Sequence, residues 1–270
     1  MAKYVVQEIF QSFRADVTSP KAQWPAVEFP VLSELVPVVL IVGIAACIYM
    51  VAGFGFALFA VPSISLLMPV TESVAMIALL GLASVLRQSI ALRNFVERQS
   101  AVRFSVWAVA GMPVGFWIVA AVSDQALRLF LGVSTIVATG VLMRRTEQMS
   151  SHTVVENLFA FISGVLNTSI GTNGSPLVFA LQGRGLTPDR FRGTIAVIFA
   201  VSGMVTTSLF AIDGRYTSRL LALICCSFPT WYVGTAIGRR LATRIDSEQF
   251  RKVVLLLLAV TGISTLISAL

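Results

Sequence analysis

Charge is scarce in this sequence. Asp, Glu, Lys and Arg make up 12% of it, about half the roughly 25% found in soluble domains. Histidine occurs once and cysteine three times. Cys47, Cys225 and Cys226 lie inside apolar stretches without the paired spacings that build zinc or redox sites, and they read as small core packers. His152 falls in a polar loop, so the apolar stretches hold no base for a serine hydrolase and no metal-ligand cluster. Phosphate-binding loop motifs are absent too. No enzyme activity, no cofactor and no directly bound energy source is expected. What is abundant is apolar residues: they reach 56%, with a mean hydropathy of +0.85. They come in blocks near the roughly 20 residues that cross a bilayer. This excludes a soluble fold and defines an all-α, polytopic helical membrane protein whose surroundings are lipid. The +7 net charge would suggest a nucleic-acid partner in a soluble protein. Here the basic residues sit between apolar blocks and act as topology determinants, so no nucleic acid is expected.

Ten apolar segments stand between polar breaks, at 35 to 51, 55 to 68, 72 to 92, 103 to 122, 125 to 143, 154 to 170, 174 to 182, 193 to 212, 219 to 238 and 249 to 270. The second and seventh, at roughly 20 and 14 Å for 1.5 Å per residue, are too short for a core of about 30 Å. Each follows a Gly-containing break, which predicts half-helices or re-entrant hairpins whose freed backbone groups face protein or a water-filled cavity. Residues 1–34 carry Pro20, Pro25 and Pro30 and no continuous apolar run, so no signal peptide is expected. There Val5, Val6, Ile9, Phe10, Phe13 and Val17 recur at helical spacing, which fits a surface-lying amphipathic helix as well as a frayed tail.

One set of loops holds Arg93, Arg98, Arg103, Arg144, Arg145, Arg184, Arg190, Arg192, Arg239, Arg240, Arg244, Arg251 and Lys252, and the other only Arg128, Arg215 and Arg219. The basic set is therefore expected in the cytoplasm, with both termini outside an inner (plasma) membrane.

The two halves are alike. Gly53 matches Gly171, Pro69 matches Pro188, Pro113 matches Pro229 and Arg128 matches Arg251 at nearly constant offset. Residues 35–146 and 147–270 form two repeats of about five segments, and five is odd, so the second repeat starts from the opposite face. Inverted repeats with interrupted helices are transporter architecture, with the site near the midplane at the breaks. The breaks read Ala52-Gly53-Phe54-Gly55-Phe56 and Ile170-Gly171-Thr172-Asn173-Gly174-Ser175-Pro176. Free amides at a positive helix end form an anion site. Gly53, Gly55, Gly171, Thr172, Asn173, Gly174 and Ser175 are the candidate binding residues, although single glycines in membrane helices also serve packing alone. Arg87, inside the third segment, either snorkels to the interface or offers charge to a passing anion. Glu72 and Glu156 are expected in structural roles, Glu156 in a capping box three residues after Thr153.

The stretches GFGFALFAVPSISLLMPVTESVAMIALL and GVLNTSIGTNGSPLVFALQGRGLTPDRFRGT resemble the TauE/SafE family of membrane transporters, from about residue 38 onward. Family members carry a run of glycines at the first break, where this chain interleaves Phe54 and Phe56. The resemblance implies a permease for a small sulfur-containing anion such as sulfite, a sulfonate or sulfoacetate, with export the frequent direction and alternating access between the repeats. A homo-oligomer is compatible with it. Two other readings stay open at this point: a channel or transporter for a neutral or cationic solute, and a membrane scaffold or sensor that transports nothing.

Overall fold

A computed structural model describes residues 30–52, 55–143, 152–172, 174–182, 184–242 and 247–270. The expected N-terminal surface helix, together with Gly53, Phe54 and Asn173, lies outside these residues. The described chain is helical without strands. The helices are α1 (Leu32–Ala52), α2 (Phe56–Ile64), α3 (Val70–Ala91), α4 (Arg98–Ala121), α5 (Asp124–Met143), α6 (Thr153–Ile170), α7 (Gly174–Gln182), α8 (Pro188–Ile212), α9 (Ser218–Ala242) and α10 (Ser247–Ser268), with a 3-10 turn at Arg93–Phe95. They fall where the ten apolar blocks predict them. Six of them, α1, α3, α4, α6, α8 and α9, are long and apolar enough to cross a membrane.

Local chemistry fixes the ends. Pro69 caps α3 and Pro188 opens α8, so the matched prolines start the third helix of each half. Proline at a helix start loses no hydrogen bond, because the N–H it lacks would be unpaired anyway. Glu97 caps α4 by accepting from the N–H groups of Gln99 and Ser100 at 3.2 and 2.8 Å. Burial alone would raise its carboxyl, but the hydrogen bonds from Ser100 and Gln99 and the nearby Arg184 outweigh that and hold it below the usual range.

Two interfaces dominate the packing: α1 lies against α9, and α4 lies against α6. Both are built from the same parts. On α4, Gly111 and Gly115 stand four residues apart against Phe161, Val165 and Thr168 of α6; on α9, Gly234 and Gly238 stand four apart against Gly43 and Cys47 of α1. A Cβ at Gly164 would overlap the carbonyl of Ala108, and one at Gly234 the carbonyl of Gly43. Close backbone approach through small residues is how helices associate where lipid offers no hydrophobic drive. The Thr168 hydroxyl adds a hydrogen bond across the first interface, donating to the Met112 carbonyl at 2.9 Å. In addition α3 packs on α8 and α5 on α10.

Charged side chains gather at the two ends of the bundle. At one end Arg219 of α9 pairs with Glu34 of α1 and Glu72 of α3. At that same end Arg128 of α5 donates to the carbonyls of Ser65 and Met68 just after α2, and Asp124 accepts from the Val70 N–H. At the other end Glu156, at the start of α6, is 3% exposed and holds Arg103 and Arg184. The expected capping box is corrected here. α6 begins at Thr153, so the cap position falls on His152 and not on Thr153, and the Glu156 carboxylate turns to the two arginines instead. Losing one partner of such a buried pair typically costs about 3–5 kcal/mol. The cysteine expectation is corrected too: Cys225 and Cys226 are exposed on α9 and only Cys47 is partly buried.

Between these ends the surface is apolar. Val106, Trp117, Val137, Leu158, Tyr232, Leu256 and Ile263 are all exposed. Patches of that extent call for an apolar covering, and for helices of this length the covering is a bilayer.

Candidate functional site

The two short helices start in the interior. Gly55 precedes α2 with φ 96°, in the left-handed region where a side chain is strained. Having no side chain, it gives the first-turn amides of α2 no side-chain cap. Phe56 packs beside Gly81, midway along α3, and the far end of α2 meets Arg128. Hence α1 and α2 enter and leave at the Glu34/Arg128 end.

The second break mirrors this from the other end. α6 stops at Gly171, φ 70°, whose N–H donates to the Asn167 carbonyl at 3.1 Å in a left-handed cap. Gly174 at the start of α7 lies against Phe199, midway along α8, and beyond α7 the chain returns to Arg184 beside Glu156. The two hairpins touch where Gly171 packs on Val61 of α2 and Val74 of α3.

Between the tips lies a cavity of about 80 Å³. At about 15 Å³ per water, that is room for roughly five waters or one compact solute. Gly55 and Phe56 from the first break, and Gly171, Thr172 and Gly174 from the second, line it together with Asn167 and Thr206. No charged side chain among the described residues reaches it. Its polar groups are few and specific. The Asn167 amide donates to the Thr206 hydroxyl at 2.7 Å. The Thr172 hydroxyl is buried without a hydrogen-bond partner among the described residues. A buried hydroxyl left unpaired costs about 1–3 kcal/mol, and Thr172 is one of the residues on the cavity wall.

Of the candidate residues, Gly55, Gly171, Thr172 and Gly174 meet at this cavity. Gly53 and Asn173 lie outside the described residues, and Ser175 falls in the first turn of α7. Arg87 is elsewhere. It lines a second cavity of about 300 Å³ near the Glu156 end, and the two cavities share Tyr49 and Ser84. Phe56, the departure from a glycine run, is buried on the central cavity and meets Tyr49 edge to face, with centroids 6.4 Å apart.

Sequence reasoning missed Asn167, Tyr49 and Ser84. Asn167 carried a usable signal, because an amide inside an otherwise apolar span is costly unless it has a partner or a task. Glu156 is the buried carboxylate the sequence did not announce. Its two arginines neutralise it, and it stands at the helix start, away from the cavity.

An apolar-surfaced bundle with two short helices starting at a small interior cavity defines a polytopic helical membrane protein. The family model "Sulfite exporter TauE/SafE" matches residues 38–265, and the chain belongs to that family. Among curated proteins it is similar to the "Probable sulfite/organosulfonate exporter TauE" of Cupriavidus necator, 26% identical over 113 residues. That match covers 40% of this chain and 44% of the relative. No solved structure matches the chain.

Proposed function

We propose that the protein exports a small sulfur-containing anion, sulfite or a short sulfonate, by alternating access. The observation that carries this reading is the shared cavity: two broken-helix tips, a start of α2 without a side-chain cap, and Thr172 and Asn167 on the wall, with no charged side chain among the described residues. Helix dipoles and neutral donors stabilise an anion in a low-dielectric space. A countercharge there would hold it too tightly to release it. The family's printed name and that of the relative agree with this solute class.

The two hairpins enter from opposite ends, and α1/α9 and α4/α6 are built alike. Both features support residues 35–146 and 147–270 as inverted repeats. In this mechanism the bundles rock about their glycine interfaces and open the cavity to one end at a time. The basic end is cytoplasmic and both termini lie outside. With the cytoplasm negative, an anion leaves downhill, at about 2.3 kcal/mol per charge per 100 mV. The lining residues described are all uncharged, which agrees with export as uniport.

Flux from proteoliposomes tests this. With methanesulfonate or sulfite inside, 100 mV of inside-negative potential is expected to drive efflux and to shift the equilibrium distribution by about fiftyfold per charge. Potential-independent movement of an uncharged solute, with no anion flux, would replace the anion reading by a neutral-solute channel.

A further inference from the structure

The second cavity differs from the first in its charge. Around its 300 Å³ stand Arg87 from the last turns of α3, Arg192 from the start of α8 and Arg239 from the end of α9, with Asp189 the single acidic residue among the described ones. Three positive groups against one negative leave a net charge of two. None of these four side chains has an ion-pair partner among the described residues, whereas Arg103, Arg128, Arg184, Arg215 and Arg219 each hold a carboxylate. Three arginines from three helices line one concavity, each of them exposed, and a concave surface lined by one sign of charge raises the local concentration of the opposite ion.

The floor of this cavity is the roof of the central one. Tyr49 and Ser84 line both. The Tyr49 hydroxyl donates to Gln88, and the Trp231 indole N–H donates to the Ser84 hydroxyl at 2.8 Å. A solute moving between the cavities therefore crosses a polar septum of hydroxyls, with no charge of its own.

We propose that the cavity formed by Arg87, Arg192 and Arg239 is a second anion-binding site, a vestibule that takes a compact sulfonate or sulfur oxyanion before it crosses the Tyr49–Ser84 septum. The proposal rests on the anion-transporter reading for its physiological solute. Its test does not depend on flux. A guanidinium fork can donate to two oxygens of a tetrahedral sulfonate as it does to two oxygens of a phosphate. The vestibule supplies charge for capture, and the uncharged cavity beyond it lets the anion go.

Thiol chemistry measures the local field. Ala91 lines the vestibule. Ala91→Cys is made in a chain with Cys47, Cys225 and Cys226 replaced by serine and is studied in detergent. Anionic 2-sulfonatoethyl methanethiosulfonate and cationic 2-trimethylammonioethyl methanethiosulfonate are the probes, and mercaptoethanol is the reference thiol. The anionic-to-cationic rate ratio is expected to exceed the reference at least tenfold. It should fall back toward the reference with R87Q, R192Q and R239Q combined, and millimolar methanesulfonate should slow the anionic reaction. A ratio within twofold of the reference, or a raised ratio unchanged by the three substitutions, overturns the site. Should the triple variant not fold, the ratio and the methanesulfonate competition in the Ala91→Cys chain decide alone. A raised ratio in a protein without anion flux retires the transport reading and keeps the vestibule; flux with a flat ratio does the reverse.

Discussion

Gly55→Trp is expected to give a folded protein that moves methanesulfonate at less than a tenth of the parent rate. A Cβ built at Gly55 meets no described atom within 4 Å, and Gly55 lines the cavity, so a large side chain there starts from open space and takes up the room a solute would use. The left-handed backbone, φ 96°, adds strain of about 1–2 kcal/mol. That is small against the roughly 5–15 kcal/mol by which a fold is stable. Gly55→Ala carries the same strain with little volume and separates the two effects. If the alanine variant retains most of the rate and the tryptophan variant does not, occlusion is the cause. Parent-like flux through Gly55→Trp would remove the cavity from the solute's route. Size-exclusion profile and thermal midpoint, measured beside flux, show that the fold is intact.

Gly164→Val is expected to abolish folding or to lower the thermal midpoint by far more than any cavity variant. The reason is backbone geometry. A Cβ at position 164 meets the Ala108 carbonyl, and a carbonyl inside a helix cannot turn aside as a flexible side chain does. Overpacking usually costs about 1–3 kcal/mol, and backbone obstruction belongs at or beyond the upper end. Gly140→Ala is the control, because a Cβ there meets nothing within 4 Å and alanine is the better helix former, so its midpoint should not fall. A parent-like midpoint for Gly164→Val would mean that α4 and α6 are not held together by glycine contact.

The two cases mark what the sequence discloses. Helix positions were legible because apolar blocks of spanning length have few other solutions in a bilayer. The short second and seventh blocks could only be broken helices. The breaks themselves were legible from Gly55 and Gly171, since left-handed backbone needs glycine. That both tips face one cavity was not legible from either half alone, because it depends on how α3 and α8 cross. The glycine spacing of Gly111/Gly115 and Gly234/Gly238 was present in the sequence, four residues apart in the same helix of each half. Single-helix spacing does not name a partner, and Gly164 and Gly43 lie far away in the chain. Arg87 shows the same limit from the other side. Its place in α3 was readable, but its company with Arg192 and Arg239 arises only when three helix ends converge.

The most direct test of the shared cavity is the reactivity of a single thiol on its wall. Thr172→Cys, in a chain without its three native cysteines, is treated in vesicles with anionic 2-sulfonatoethyl methanethiosulfonate, with and without methanesulfonate. The cavity account predicts modification that methanesulfonate slows, with half-protection at the concentration that half-saturates flux. A thiol that never reacts, or that reacts equally fast under saturating methanesulfonate, contradicts it.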